Sequence, residues 1–336
     1  MTTSDTRTPA PATSASSVPL IDLTAWYDGD DAARRAVAAE VDLALREVGF
    51  LLVTGHRLGT ELPDRVREQV QPFFAQPAEV KQRYACRPGG RGWIPPGAEA
   101  NAASDGVQSP PDLKESWTFG AETAPPEIAG TAEESWYQPS VWPAEVPELR
   151  SAGTEFAQAC RALADDLMEL FALALDLPAD FFTSRCAVNP WSVNLNWYPA
   201  VDHVGPAAEG QFRIGQHTDF GTLTILDRQP GSGGLQVRML DGTWVDAPFV
   251  PGALTINTGD LLARWTGDRW RSTPHRVLPP PADQPTEELL SLVFFCEADL
   301  SSVVETLPTA QAGPHRYEPV TAGAFLRGRM DSITVG

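Results

Sequence analysis

The chain has 336 residues, 42 % of them apolar and 21 % charged, a balance that buries a sizeable core and leaves open one large domain or two. Its formal charge of −19 excludes the basic surface that phosphate backbones and anionic lipids require, so neither nucleic acid nor membrane is expected as a partner. The chain has no apolar run of about 20 residues to span a bilayer, and its 31 prolines and 27 glycines favour many short strands over a helical bundle.

Residues 1–17, MTTSDTRTPAPATSASS, lack the apolar segment of a secretory signal, and their Ser, Thr, Pro and Ala content predicts a disordered tail. A single catalytic domain is expected over 18–336. VPLIDLTAW predicts a short strand and turn, and segment 31–48 places Val37, Val41, Leu45 and Val48 at helical spacing before Gly49 stops it. GFLLVTGH is a compact apolar strand, and Leu62, Val66, Val70 and Phe73 mark a second amphipathic helix that Pro77 helps to close. From 87 to 147 Gly, Pro, Ala and acidic residues dominate. Segment 89–106 is expected to be a loop, either a substrate lid contacted through Trp93 or a plain surface connection, and DLKESWTFG after it an ordered piece. Phe156, Cys160, Leu163, Leu167, Leu170 and Phe171 give the clearest helix, ended by Leu177-Pro178. This front part, 18–177, is helical and α/β.

Beyond residue 178 the period changes from helical to alternating. Short strand candidates at 193–198, 217–226, 235–240, 243–249, 253–257, 276–278 and 289–296 are separated by Gly, Pro or Asp, which predicts an antiparallel sandwich or barrel over 178–300. The remainder, 301–336, contains a helix at 321–330 capped by Thr321. Cys86, Cys160, Cys186 and Cys296 lack any CxxC spacing, so they are expected to be free thiols in a reducing, cytoplasmic compartment.

Segment 215–226, GQHTDFGTLTIL, carries the chemistry. His217 and Asp219 are two residues apart, and in an extended strand such positions face the same way, so an imidazole and a carboxylate can converge on one metal ion. A third ligand could be any of the other four histidines, of which His275 in STPHRVL opens a second strand-like run. Two histidines and one carboxylate form the facial triad that holds non-haem Fe(II) and leaves the opposite positions open. One H-x-D tripeptide is weak evidence among five histidines and 44 acidic residues.

The ordered series VPLIDL, EVGFLLVTGH, FFAQPAEVK, DLKESW, NLNWYP, HTDFGTLTIL, GGLQV with GTWVDAPF, INTGDLLARWT, STPHRVLPP and LSLVFF is more specific. It resembles the isopenicillin N synthase-like members of the 2-oxoglutarate and Fe(II)-dependent dioxygenases, over nearly all of 18–329. The resemblance implies a double-stranded β-helix, a cupin-like jelly roll that is mainly β with flanking helices. It also implies an enzyme with Fe(II) and 2-oxoglutarate as cofactors, and O2 and a small molecule as partners. Oxidative decarboxylation to succinate and CO2 would drive hydroxylation, desaturation or ring closure, and a biosynthetic pathway such as that of an antibiotic is the expected setting. His217, Asp219 and His275 become the implied iron ligands, and Asn196 and Tyr198 match positions that reach the co-substrate. Ser291 matches the serine of the family's Arg-x-Ser pair, which grips the far carboxylate of 2-oxoglutarate.

The arginine of that pair is replaced by Leu289, which should face the pocket beside Ser291. Arg264, placed on a strand after the INTGD turn, is the chosen substitute, with Arg213 and Arg276 as weaker candidates. The departure leaves two alternatives open. One is an Fe(II) oxidase of the isopenicillin N synthase type that uses no 2-oxoglutarate, and the other a jelly-roll binding protein without catalysis. His56 is expected to be structural, His203 and His315 solvated, and Trp197, Trp265 and Trp270 candidates for the pocket wall.

Overall fold

The computed structural model describes residues 17–105, 109–308 and 311–333, so the tail expected at the N-terminus lies, apart from Ser17, outside the described residues. In chain order the strands that build the core are β1 (Leu20–Asp22), β2 (Phe50–Thr54), β3 (Gly92–Ile94), β4 (Glu115–Gly120), β5 (Ser192–Tyr198) and β6 (Ile214–His217). They continue with β7 (Leu223–Asp227), β8 (Leu235–Arg238), β9 (Trp244–Asp246), β10 (Leu254–Thr258), β11 (His275–Val277) and β12 (Leu289–Cys296). An eight-stranded sheet runs β1-β2-β10-β7-β12-β5-β4-β3, and a four-stranded sheet runs β6-β11-β8-β9. Two such sheets enclosing one interior, with helices on the outside, make the jelly roll.

Alternation along the central strands separates a dry face from a functional one. On β12, Leu290, Leu292 and Phe294 join the core shared with the helices, whereas Leu289, Ser291, Val293 and Phe295 line the space between the sheets. On β7, Leu223 and Ile225 take the helix side and Thr224 and Leu226 the interior. Each fully buried Leu, Ile, Val or Phe on the helix side contributes about 1.5–3 kcal/mol, so the register is strongly specified; a slip by one residue would exchange the two faces. Antiparallel pairing sets Ser291 against Asn196 and Leu289 against Tyr198.

The helices follow their apolar spacing. Asp30 accepts a hydrogen bond from Ala33 N at 2.9 Å and so caps the helix Asp31–Glu47, which buries Val37, Val41 and Leu45. Helix Glu61–Phe74 buries Val66, Val70 and Phe73, and both pack on the 27-residue helix Glu148–Ala174 behind the large sheet. The C-terminal helix is Ala322–Ile333, with Ala324 N donating to Thr321 Oγ1 at 3.3 Å.

Two segments of the sheets differ from the sequence expectation. Segment 217–226 is not one strand: β6 closes at His217 in the small sheet, residues 218–222 cross the interior, and β7 opens at Leu223 in the large sheet. Within the expected loop 89–106, β3 pairs with β4 at the edge of the large sheet, and Trp93 is 4 % exposed. Trp93 is therefore no lid contact. Its Nε1 donates to Glu115, whose two carboxylate oxygens also accept from Lys81 Nζ at 2.8 and 2.9 Å, and this buried ion pair holds the indole inward.

Candidate metal centre

The crossing between the sheets brings His217, Asp219 and His275 together. β6 ends on His217, β11 begins on His275, and their antiparallel register sets the two residues opposite each other with ring centroids 4.2 Å apart. Each Nδ1 faces the carbonyl two residues upstream, His217 to Gly215 O at 2.9 Å and His275 to Thr273 O at 3.1 Å. A carbonyl only accepts, so each neutral ring carries its proton on Nδ1 and presents an Nε2 lone pair. Both Nε2 atoms face Asp219 Oδ1, at 3.7 and 3.8 Å. Phe50 packs edge-on against the His275 ring at 5.1 Å.

Asp219 sits in the crossing itself. Its backbone oxygen accepts from Asp260 N at 2.8 Å, and Thr222 O accepts from Gly259 N at 3.0 Å, so the turn is pinned to the end of β10. A Cβ on Gly259 would come 2.4 Å from Gly221 O and 2.9 Å from Asp219 O, which is why this close approach needs glycine. The side chain is held as firmly: Oδ2 accepts from Thr224 Oγ1 at 2.5 Å and from Asn257 Nδ2 at 2.7 Å. Burial raises a carboxyl pKa, but in the metal-free site positive charge on the His275 and His217 rings, together with these two hydrogen bonds, outweighs it and keeps Asp219 below the ordinary range. Two imidazole nitrogens and one carboxylate oxygen, all within 4.8 Å of one another, are a donor set suited to a divalent first-row metal.

A cavity between the sheets opens from this cluster, and Asn196, Tyr198, Leu289 and Ser291 all line it. Asn196 Oδ1 accepts from Ser116 Oγ at 2.7 Å. Burial pushes the Tyr198 phenol up to about 12 against opposing hydrogen bonds from Ser291 and Asn196 and the nearby Arg213 charge, so it stays a neutral donor and acceptor. Leu289 points inward beside Ser291, as the two-residue period requires.

Arg264 is not at this cavity, which corrects the expectation for it. Residues 260–265 form the helix Asp260–Trp265 rather than a strand, because Leu261, Leu262 and Trp265 bury one helical face. Arg264 leaves the opposite side, donates to Glu318 O at 2.6 Å and stacks over Tyr317. Arg213 lies over Tyr198, but Glu287 answers its charge at 2.7 Å. Arg276 stacks on Trp244 and donates to Gln236, away from the cluster. Trp197, Trp265 and Trp270 pack into the core with the helices and do not line the cavity. His56 faces Gly252 O at 2.9 Å, whereas the exposed His203 and His315 pair with Glu288 and Asp268.

Thr224, Asn257 and Arg228 also line the cavity and escaped the sequence reading. The alternation of Thr224, Leu226 and Arg228 in TLTILDR was the available signal, and it continues past the end assigned to that strand.

A jelly roll that presents two imidazoles and a carboxylate to an inter-sheet cavity has the architecture of a non-haem metal-dependent oxygenase. Comparison with known proteins makes the class specific. Residues 18–145 match the family model described as non-haem dioxygenase in morphine synthesis N-terminal, and residues 190–298 match the 2OG-Fe(II) oxygenase superfamily. The chain is 41 % identical over 320 residues to validamycin A dioxygenase of Streptomyces hygroscopicus subsp. limoneus, covering 95 % of this chain and 87 % of that protein. It is 30 % identical to a homoarginine-6-hydroxylase of Glycine max, covering 95 % and 98 % of the two chains. A full-length Neurospora crassa protein solved in complex with alpha-KG and thymine superimposes with a TM-score of 0.80 at 29 % identity, over 94 % of this chain and 96 % of that one. The chain belongs to the 2-oxoglutarate-Fe(II) oxygenase superfamily. It is an oxygenase of the isopenicillin N synthase-like group that uses Fe(II) and 2-oxoglutarate to oxidise a small molecule with O2. No described helix is long and apolar enough to cross a membrane.

Proposed function

We propose that His217, Asp219 and His275 are the Fe(II) ligands, that Asn196, Tyr198 and Ser291 border the bound 2-oxoglutarate, and that residues 18–336 act as one catalytic domain. The observation that carries this reading is the convergence of two Nε2 atoms on Asp219 Oδ1 while every other polar atom of the trio faces a protein partner. Bound there, Fe(II) would supply the redox chemistry that couples O2 to oxidation of 2-oxoglutarate and of the substrate. The chain's own residues do the rest. Gly215 O and Thr273 O hold both imidazoles in one tautomer, Thr224 and Asn257 keep Asp219 ionised, and Phe50, Leu226, Val293 and Phe295 make the cavity wall apolar and exclude water.

The substrate in this reading is a small molecule of antibiotic biosynthesis of the validamycin type, a choice supported by the identity to validamycin A dioxygenase over most of both chains. A cytoplasmic setting is supported by four unpaired cysteines, and the strongly acidic charge speaks against a nucleic-acid partner.

Titration of the metal-free protein with Fe(II) under nitrogen tests the ligand assignment: His217→Ala should abolish tight binding, and unchanged affinity would overturn it. Turnover assays test the coupling, because 2-oxoglutarate-dependent oxidation requires one succinate per oxidised substrate, and substrate oxidation without succinate would overturn it.

A further inference from the structure

A dicarboxylate in this cavity poses a charge problem that a metal ion at one end does not solve. A 2-oxo acid chelates a divalent metal through its keto oxygen and the adjacent carboxylate, which leaves the distal carboxylate at the other end of the molecule. Shielded from water, that group is strongly disfavoured unless a cation meets it. Leu289, at the position expected to supply the cation, offers none.

Among the described residues that line the cavity, Arg228 alone carries a guanidinium or ammonium group. It directly follows β7, whose alternation turns Thr224, Leu226 and Arg228 to the interior. The pairing of Asp227 with Leu292 continues to place Arg228 beside Ser291. Its Nε donates to Thr255 Oγ1 at 3.2 Å, and its terminal nitrogens donate to Ala247 O at 3.4 Å and Pro248 O at 2.7 Å. None of these partners is charged. The adjacent carboxylate, Asp227, is taken by Arg67. These bonds use one N–H on each nitrogen, so each terminal nitrogen keeps a second N–H with which to meet a carboxylate. Arg213 differs on each count, since Glu287 both neutralises it and is tied to Ser232 N and Gly233 N.

We propose that Arg228 binds the distal carboxylate of 2-oxoglutarate, with Thr255 as the positioning residue that aims its guanidinium. The inference rests on the reading that this cavity takes 2-oxoglutarate beside His217, Asp219 and His275. It also balances the cavity: two neutral imidazoles, one carboxylate, a divalent ion, a dicarboxylate and one guanidinium leave no net formal charge. The cation thus enters from the strand next to β12 rather than from β12 itself.

The test is calorimetric titration of Fe(II)-loaded protein under nitrogen with 2-oxoglutarate and with 2-oxopentanoate, which keeps the keto-acid end and lacks the distal carboxylate. Arg228→Gln should weaken 2-oxoglutarate binding about 10- to 100-fold and leave 2-oxopentanoate binding unchanged. Arg228→Gln with Leu289→Arg, which returns a cation to the same wall, should recover the preference for the dicarboxylate. Arg228→Met, which keeps the aliphatic stem, is measured in parallel, and wild-type preference for 2-oxoglutarate in whichever of the two single variants folds overturns the proposal. Equal loss of both ligands also overturns it, since that marks a purely structural role. If wild-type protein binds neither ligand, the reading of the cavity itself fails, an outcome distinct from wild-type binding that Arg228→Gln leaves intact.

Discussion

Thr224 and Asn257 donate to the same oxygen of Asp219, so the orientation of the carboxylate hangs on two side chains from neighbouring strands of the large sheet. Thr224→Val removes one donor with almost no change of shape, and Asn257→Leu removes the other. A hydrogen bond to a buried charged group contributes about 1.5–3 kcal/mol. If that ordering is lost, Fe(II) affinity should fall about 10- to 100-fold in each variant, the range typical when a residue behind a metal ligand is removed. Because both donors act on one atom, the double variant should lose less than the sum of the single losses. Calorimetric Fe(II) titration under nitrogen reads the affinity, and thermal melts of metal-free protein report whether the sheet is intact. Wild-type affinity in both single variants, with normal melts, would refute the argument that Oδ2 ordering presents Oδ1 to the metal.

Three further outcomes follow from buried groups around the site. Gly259→Ala pushes a methyl against the backbone of the Asp219 turn, so it should lower stability by about 1–3 kcal/mol and weaken metal binding in the same titration. Lys81→Met leaves Glu115 without its ammonium partner in a site where Glu115 is 3 % exposed, and should cost about 3–5 kcal/mol in denaturant melts, most of it recovered by Lys81→Met with Glu115→Leu. Burial, helped by the Asp219 charge, pushes the Glu297 carboxyl from its ordinary 4.5 up to about 8. The folded metal-free protein therefore keeps a proton that the unfolded chain releases. Its contribution to stability is full below about pH 4.5 and is lost as pH rises through about 8. Unfolding free energies from denaturant melts across that window should fall by on the order of a few kcal/mol, and Glu297→Gln should flatten the slope.

What the sequence made legible is what local pattern encodes. Val37, Val41 and Leu45, or Phe156, Cys160, Leu163 and Leu167, recur at 3.6-residue spacing and bury one helical face. LLSLVFF alternates between helix-facing and cavity-facing residues, which is why Leu289 could be placed beside Ser291. Sheet membership is a different matter, because pairing is non-local. Nothing within HTDFGTLTIL marks where β6 yields to β7; that is decided by His275 on one side and by Leu254–Thr258 on the other. His217 and Asp219 do converge, yet through a strand end and a crossing turn rather than through strand alternation. The same blindness hid Arg228. Asp227 reads as the polar end of a strand until Arg67, 160 positions away, is seen to neutralise it. Only then does the next residue become a cation with no salt-bridge partner among the described residues. Arg264 failed in the opposite direction: LLARW is apolar enough for a strand, but Leu261, Leu262 and Trp265 share a face only as a helix, and that turns the guanidinium out towards Tyr317. The ligand trio could be located by motif because its chemistry is concentrated in a few positions. A lone counter-charge can enter the cavity from any strand that borders it, so its position is set by which carboxylates its neighbours have already taken, and that is a property of the folded sheet alone.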